Sequence, residues 1–291
     1  MAGKSINLFL MDGDPNGRIK CSLANWTGVA YKIPRTMLDK ARNIEALKQT
    51  GVYLLFGADP ATDEPVVYIG QAAVRKNGMG ILNRWEEHKR DTDKDWWNEA
   101  VALTTRDNSF GQTEIAYLEN RFRNMALDAG RYRVMNGNEP AQGNITEEKE
   151  CEMDEFISNA RLIIGTLGYK VFDSLLGNRR VVEVVEAPDD GPIFTFHYGK
   201  VEARGTRTAE GFVVMAGSHI CPTTTKSVPD NVIKNREKYA PALTADGVLT
   251  KDLLFTSPSA AAGFVGGASL SGNVTWRLPD GRTLKQLDGQ G

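Results

Sequence analysis

Gly51-Val-Tyr-Leu-Leu-Phe-Gly-Ala-Asp-Pro60 and the following Ala61-Thr-Asp-Glu-Pro-Val-Val-Tyr-Ile-Gly70 are the stretch whose reading decides the fold. Apolar, β-branched and aromatic residues fill 51–56 and 66–69, and Pro60, Asp63 and Pro65 interrupt them. The pattern predicts two strands joined by a loop. Paired antiparallel about that loop, Tyr53 is expected opposite Tyr68, with both phenols on one face. A half-buried hairpin whose tyrosines only pack explains the same residues.

Working outward, Ile81, Arg84, Trp85 and His88 recur at i, i+3, i+4 and i+7, one face of a helix expected over 81–90. Ile81 and Trp85 belong to a core, which leaves Arg84 and His88 at its edge. A guanidinium there needs an anionic partner, either a protein carboxylate or a ligand. Trp96-Trp-Asn-Glu-Ala-Val-Ala-Leu-Thr104 predicts a third strand. Ser109 or Thr113 is the expected cap of a helix that ends at Ala129 before Gly130. Its core stripe is Ile115, Leu118, Phe122 and Met125, and Glu119 borders it. Glu114 lies about 140° round the helix from Glu119. One ion is therefore not shared by the two carboxylates, and Glu114 suits the first turn, where negative charge favours the helix dipole.

Hydrolysis of a phosphodiester needs a base for the attacking water, stabilisation of charge on the phosphoryl oxygens, and help for the leaving oxygen. A phenol serves as base only if nearby positive charge pulls its pKa below the ordinary value of about 10. Arg84 supplies fixed charge and a fork for phosphate. A single carboxylate on a rigid helix, Glu119, suits a hard cation that keeps most of its waters. Tyr53, Tyr68, Arg84, His88 and Glu119 provide these parts, although each also has a structural role open to it.

In this order the pieces resemble the GIY-YIG nuclease family over roughly 51–140. Gly51-Val-Tyr53 looks like the first motif, Tyr68-Ile-Gly70 like the second, and Arg84-x-x-x-His88 like the arginine and following histidine. Leu118-Glu119-Asn-Arg-Phe122 looks like the metal-binding helix, and Asn136 like the asparagine that often follows. The resemblance implies an α+β fold, a three-stranded antiparallel sheet flanked by helices. It also implies a DNA endonuclease using one Mg²⁺ or Mn²⁺ held by Glu119, with Arg84 steadying the pentavalent phosphate. One of the tyrosines, with His88, would activate water. Several members carry lysine just after the second motif, where this chain has Gln71, so lowering a phenol pKa falls to the metal and Arg84.

The 291 residues suggest two domains, or one with extensions. Residues 1–50 are expected as an extension packed on the central domain, 51–140 as the domain itself, 141–192 as a helical linker and 193–291 as a small C-terminal α+β domain. Helices are expected over 34–49, 152–167, 229–243 and from 258, with Ser257 as cap and Pro258 at the first helical position. The part from Ile220 is similar to an uncharacterised domain often found after such nucleases. Phe255-Thr-Ser-Pro-Ser-Ala-Ala-Ala262 and Trp276 also resemble RAMA-type modules, which implies a DNA-reading role; a small packing domain fits equally. Gln71, Arg75, Lys76, Asn136, Lys234 and Arg236, with Lys238, are the candidate nucleic-acid contacts.

No apolar run approaches the roughly 20 residues that span a bilayer, and the first ten residues do not read as a signal peptide. Three widely spaced cysteines and three histidines argue against a disulfide framework and a structural zinc site, and fit the cytoplasm. A formal net charge of −2 counts mildly against nucleic acid as a partner, because phosphate binding normally shows as an electropositive surface, unless positive charge is gathered locally. The rival readings are a nucleic-acid-binding protein with a decayed nuclease site, and a scaffold that keeps the fold without touching nucleic acid.

Overall fold

The computed structural model describes residues 3–75, 78–176, 192–199 and 201–288, and the chain forms two compact units, Met1–Ser174 and Leu175–Gly291. The first unit is built on β1 (Ile6–Leu10), β2 (Ile19–Leu23), β3 (Gly28–Pro34), β4 (Gly51–Ala58), β5 (Pro65–Ala72), β6 (Trp97–Thr105) and β7 (Arg133–Val134). They form one seven-stranded sheet in the order β1-β2-β3-β6-β4-β5-β7. All neighbours run antiparallel except β5 and β7, which are parallel. The expectation of a three-stranded sheet is thus corrected. The three strands expected for the central domain are the neighbours β6-β4-β5, and the first fifty residues, expected as an extension, add three more strands to the same sheet.

Helices α1 (Leu38–Ala41), α2 (Ile81–Arg90), α3 (Gln112–Ala129) and α4 (Glu147–Thr166) cover its two faces. Alternation along the strands sorts the side chains between them. Val52, Leu54 and Phe56 of β4, with Val67 and Ile69 of β5, pack in the core that holds Ile115, Leu118 and Phe122 of α3 and Phe156, Ile157 and Ala160 of α4. Tyr53 and Leu55 face the opposite core, with Ile81, Leu82 and Trp85 of α2 and with Leu38 and Ala41 of α1. Because both faces are covered, β4 reads as an unbroken apolar run, as strands buried on two sides do. Each fully buried side chain of this size contributes about 1.5–3 kcal/mol of transfer free energy.

Three helices differ from the sequence reading. The helix expected over 34–49 is broken, because Ile44 is extended (φ −88°, ψ 104°) and only α1 and short 3-10 turns form around it. Helix α3 starts after Gly111, whose backbone N–H donates to the Glu114 carboxylate at 3.1 Å. Of the two expected caps, Ser109 donates its hydroxyl to Thr105 instead, at 3.1 Å, and Thr113 lies inside the helix. Helix α4 starts five residues earlier than expected, where Thr146 accepts the Lys149 N–H at 3.4 Å and Glu147, Glu148 and Glu150 fill the first turn. Its buried face makes it a wall of the first unit's core, whereas the sequence placed it in a linker.

The second unit is a five-stranded antiparallel sheet in the order β11-β10-β9-β8-β12. Its strands are β8 (Ile193–Tyr198), β9 (Val201–Thr208), β10 (Gly211–Val214), β11 (Leu253–Phe255) and β12 (Trp276–Arg277), with α5 (Asp230–Tyr239), α6 (Pro258–Gly266), α7 (Gly272–Thr275) and α8 (Leu284–Asp288). Ser257 caps α6 by accepting the Ala260 N–H at 3.1 Å, as its sequence anticipates. Phe194, Phe196, Phe212 and Trp276 share the core with Phe264 of α6, and the Trp276 indole donates to the Pro258 carbonyl at 3.0 Å. The loop expected over 179–191 lies outside the described residues. Among the described residues no helix is long and apolar enough to cross a membrane.

The pairing of β4 with β6 shifts register between Phe56 and Gly57. A Cβ on Gly57 would stand 2.1 Å from the Trp96 carbonyl oxygen, which is backbone and cannot swing aside. Gly57→Ala is expected to cost about 1–3 kcal/mol of stability, read as a lower urea midpoint. Gly137→Ala, where the added methyl meets nothing within 4 Å, is the control and should leave the midpoint unchanged. Equal midpoints for the two variants would show that the close approach at Gly57 does not constrain the sheet.

Candidate active site

The site begins with the alternation of β4 and β5. Tyr53 pairs with Gly70, and Tyr68 pairs with Leu55. The expected Tyr53–Tyr68 pairing is therefore wrong by two residues. An offset of two preserves the face, so the phenols still share it, with ring centroids 6.3 Å apart. Gly70 permits the arrangement, since a Cβ there would lie 2.4 Å from the Tyr53 ring and its hydroxyl oxygen. The glycine of one motif is the floor on which the tyrosine of the other rests.

Helix α2 crosses this face. Trp85 meets Tyr53 edge-on at 6.5 Å, and one turn on, the His88 ring lies 5.7 Å from Tyr53 and 5.2 Å from Tyr68. His88 is buried, and its Nε2 is 2.7 Å from the Tyr53 hydroxyl. Its Nδ1 is 3.0 Å from the Lys94 ammonium, which also stands 4.7 Å from the centre of the Tyr68 ring. Tyr53 is fully buried, whereas Tyr68 is partly exposed.

Arg84 points to the same place. Its guanidinium acts on Tyr53 both by charge and as a donor, and it is bound to Glu87 at 2.6 Å. Glu87 in turn holds Arg75 at 2.5 Å and accepts from Asn83 at 2.9 Å. Glu119 sits buried on α3, where Gln71 offers it a side-chain amide and a backbone N–H. The Gln71 oxygen is meanwhile taken by Gln112 at 3.2 Å. Glu119 is close enough to interact electrostatically with Arg84, Tyr53 and Tyr68. The five residues named from the sequence thus converge around the end of β5.

Burial dominates the ionisation of this cluster. It raises the Tyr53 phenol, as does the neighbouring Tyr68, and Arg84 opposes both only partly. Burial and then Glu119 raise Tyr68. Glu119 itself is raised by burial against the opposing pull of Gln71 and Arg84. His88 is pushed down to about 4 by burial, with Lys94 and Arg84 adding to it. Glu87 goes the other way: burial raises it, but Arg75 and Arg84 prevail and hold it below the usual carboxylate range.

The candidate nucleic-acid contacts fare differently. Gln71 is a bracket for Glu119, and Arg75 is exposed but paired with Glu87. Asn136 is a structural clamp: its amide donates to the Ile69 carbonyl at 2.7 Å and accepts the Ile69 N–H at 3.1 Å, extending the sheet beside the second motif. Arg236 is also corrected. Its guanidinium is spent on the carbonyls of Cys221, Phe264 and Val265. Lys234 and Lys238 are exposed on α5, and Lys76 lies outside the described residues. Sequence reasoning missed Glu87 and Lys94. Glu87 carried a signal, being three residues after Arg84 on one helix. Lys94 carried none, because a turn brings it back onto His88.

Among the described residues no group of three His, Cys, Asp or Glu side chains is gathered to hold a metal ion. A lone carboxylate suits only an ion that retains water and takes substrate oxygens as further ligands. Glu119 fits that narrower demand: it is buried, and Arg84, whose charge acts on it, has its ion pair with Glu87.

Since the folded state depresses the His88 pKa below 6.5, the neutral ring stabilises the fold fully above pH 6.5, and this contribution is lost as pH falls toward about 4. The urea midpoint of the wild type should therefore fall more steeply across that window than that of His88→Gln. Parallel pH profiles would remove His88 as the cause.

Residues 194–288 match a family model described as a domain of unknown function (DUF4357). No curated protein matches the chain, and no solved structure does.

Proposed function

We propose that the first unit is a GIY-YIG-type endonuclease that hydrolyses phosphodiester bonds in DNA with the help of one divalent cation. The observation that carries this reading is the meeting of Tyr53, Tyr68, Arg84 and His88, from two strands and one helix, beside the carboxylate of Glu119 from another. A packing role alone does not call for two phenols, an imidazole, a guanidinium and a carboxylate in one half-buried cluster, because each polar group there loses hydration.

Glu119 is the residue that would hold the ion. Bound there, Mg²⁺ or Mn²⁺ supplies Lewis-acid polarisation of a phosphoryl oxygen and cancels the carboxylate charge that raises Tyr68. Arg84, one-third exposed, is placed to fork onto the non-bridging oxygens, exchanging its contact with Glu87 for the phosphate. Tyr68, the phenol with solvent access, is placed to take the proton of the attacking water once its own proton has left. Arg84 favours that loss, while burial and Glu119 oppose it. Tyr53 and His88 stand behind Tyr68 and fix its surroundings. In the second unit, Lys234 and Lys238 are exposed on α5, the latter with its ammonium 5.2 Å from the centre of the Tyr239 ring, and they are the groups that would meet phosphates in a DNA-reading role.

The test is cleavage of supercoiled plasmid and of branched DNA with Mg²⁺ or Mn²⁺. Glu119→Gln and Arg84→Ala should each lower the rate by roughly 100-fold or more, with DNA retention on filters largely kept. Retention without cleavage by the wild type would favour the binding protein with a decayed site. Equal trace cleavage by all forms would identify a contaminant and overturn the reading.

A further inference from the structure

Lys94 lies outside every motif of the chain, yet its ammonium touches the site at two points. It is 3.0 Å from Nδ1 of His88 and 4.7 Å from the centre of the Tyr68 ring. It comes from the short turn Thr92–Lys94 that follows α2, and Asp91, which opens that turn, lies 3.7 Å from the ammonium. The Asp91 side chain itself accepts the Asp93 N–H at 3.1 Å, which fixes the turn. The lysine side chain is about one-quarter exposed, at 26%, so its stem crosses the protein surface and its head group points inward.

A lysine ammonium has donors and no acceptor. Nδ1 of His88, facing it, must accept, so the ring hydrogen of the neutral imidazole resides on Nε2. Nε2 is the atom 2.7 Å from the Tyr53 hydroxyl, and it therefore donates to that oxygen. We propose that Lys94 is a positioning residue of the site: it fixes the tautomer of His88 and so makes His88 a donor to Tyr53, not a base for it. The hydrogen bonds then run in one direction, from Lys94 to His88 to Tyr53. The Tyr53 hydrogen is left to point away from His88, and Tyr68 remains the phenol that meets water. Without the lysine, the imidazole is free to carry its hydrogen on Nδ1 and accept from Tyr53 through Nε2, which reverses the direction. The consequence for catalysis rests on the nuclease reading, whereas the tautomer does not.

The tautomer is read from two-bond ¹H–¹⁵N correlation spectra of the imidazole rings at pH 7, in a chain with only three histidines to assign. The wild type should show His88 with its hydrogen on Nε2. Lys94→Met, which keeps the stem and removes the donor, should show a mixture or the other tautomer, and Lys94→Arg should restore the first. In cleavage assays Lys94→Met should lower kcat by about tenfold to a hundredfold, the size of loss seen when a partner that orients a metal-binding histidine is removed, with retention of DNA unchanged. Wild-type His88 carrying its hydrogen on Nδ1 overturns the proposal whether or not any variant folds. The same spectra for wild type and Lys94→Met overturn it as well. If the tautomer responds as expected and no form of the protein cleaves DNA, the nuclease reading fails and the role of Lys94 in orienting His88 stands.

Discussion

The structure of the first unit depends on the burial of both faces of β4. A strand covered on one side puts its polar residues outward, where water satisfies them. Covered on two sides, it has no outward side, so Tyr53 takes its hydroxyl into the core and must find partners there. His88 and Arg84 are those partners. They in turn are brought indoors by α2, whose Ile81, Leu82 and Trp85 bind it to the same face. The glycine at position 70 is the geometric counterpart, since the Tyr53 ring occupies the space a side chain would need. Sheet coverage, register and the polar cluster are thus one constraint seen at three levels.

Charge within the cluster is arranged as a balance. Arg84 and Lys94 bring positive charge to Tyr53, Tyr68 and His88, and Glu119 and Glu87 bring negative charge to the same groups. Burial then sets the outcome by favouring neutral forms: the phenols are pushed up and the imidazole down. A neutral imidazole at pH 7 is required for the hydrogen-bond direction that Lys94 imposes. Gln71 fits the same balance: a lysine at 71 would bring its charge from β5, whereas here Lys94 brings charge to the Tyr68 ring from a turn after α2.

Periodicity in the sequence was sufficient where local rules govern structure. The apolar run at 51–56 and the i, i+3, i+4, i+7 face of Ile81, Arg84, Trp85 and His88 correspond to β4 and α2, and Ser257 with Pro258 marks the start of α6. It was insufficient where partners are distant. The turn residues over 12–17 signal the β1–β2 hairpin, which the structure has, but nothing in β3 signals that it pairs with β6, so a seven-stranded sheet read as three strands and an extension. The Tyr53–Gly70 register depends on the length and shape of the loop over 59–64, which composition does not specify. Asn136 and Arg236 look like surface contacts in the sequence because their type is polar. Only the fold shows that backbone carbonyls already use them.

On the proposed nuclease reading, a chain of net charge −2 has to hold a polyanion, and the ion pairs of the cluster bear on how it would do so. Arg75 and Arg84 both converge on Glu87, so the guanidinium that acts on Tyr53 already has a carboxylate partner in the free protein. A phosphate entering there does not meet an open basic surface. In the proposed reaction it would replace the Glu87 carboxylate in the fork of Arg84, an exchange of one anion for another that costs less desolvation than exposing a bare guanidinium would. Recognition on that reading would depend on geometry at one fork more than on long-range attraction.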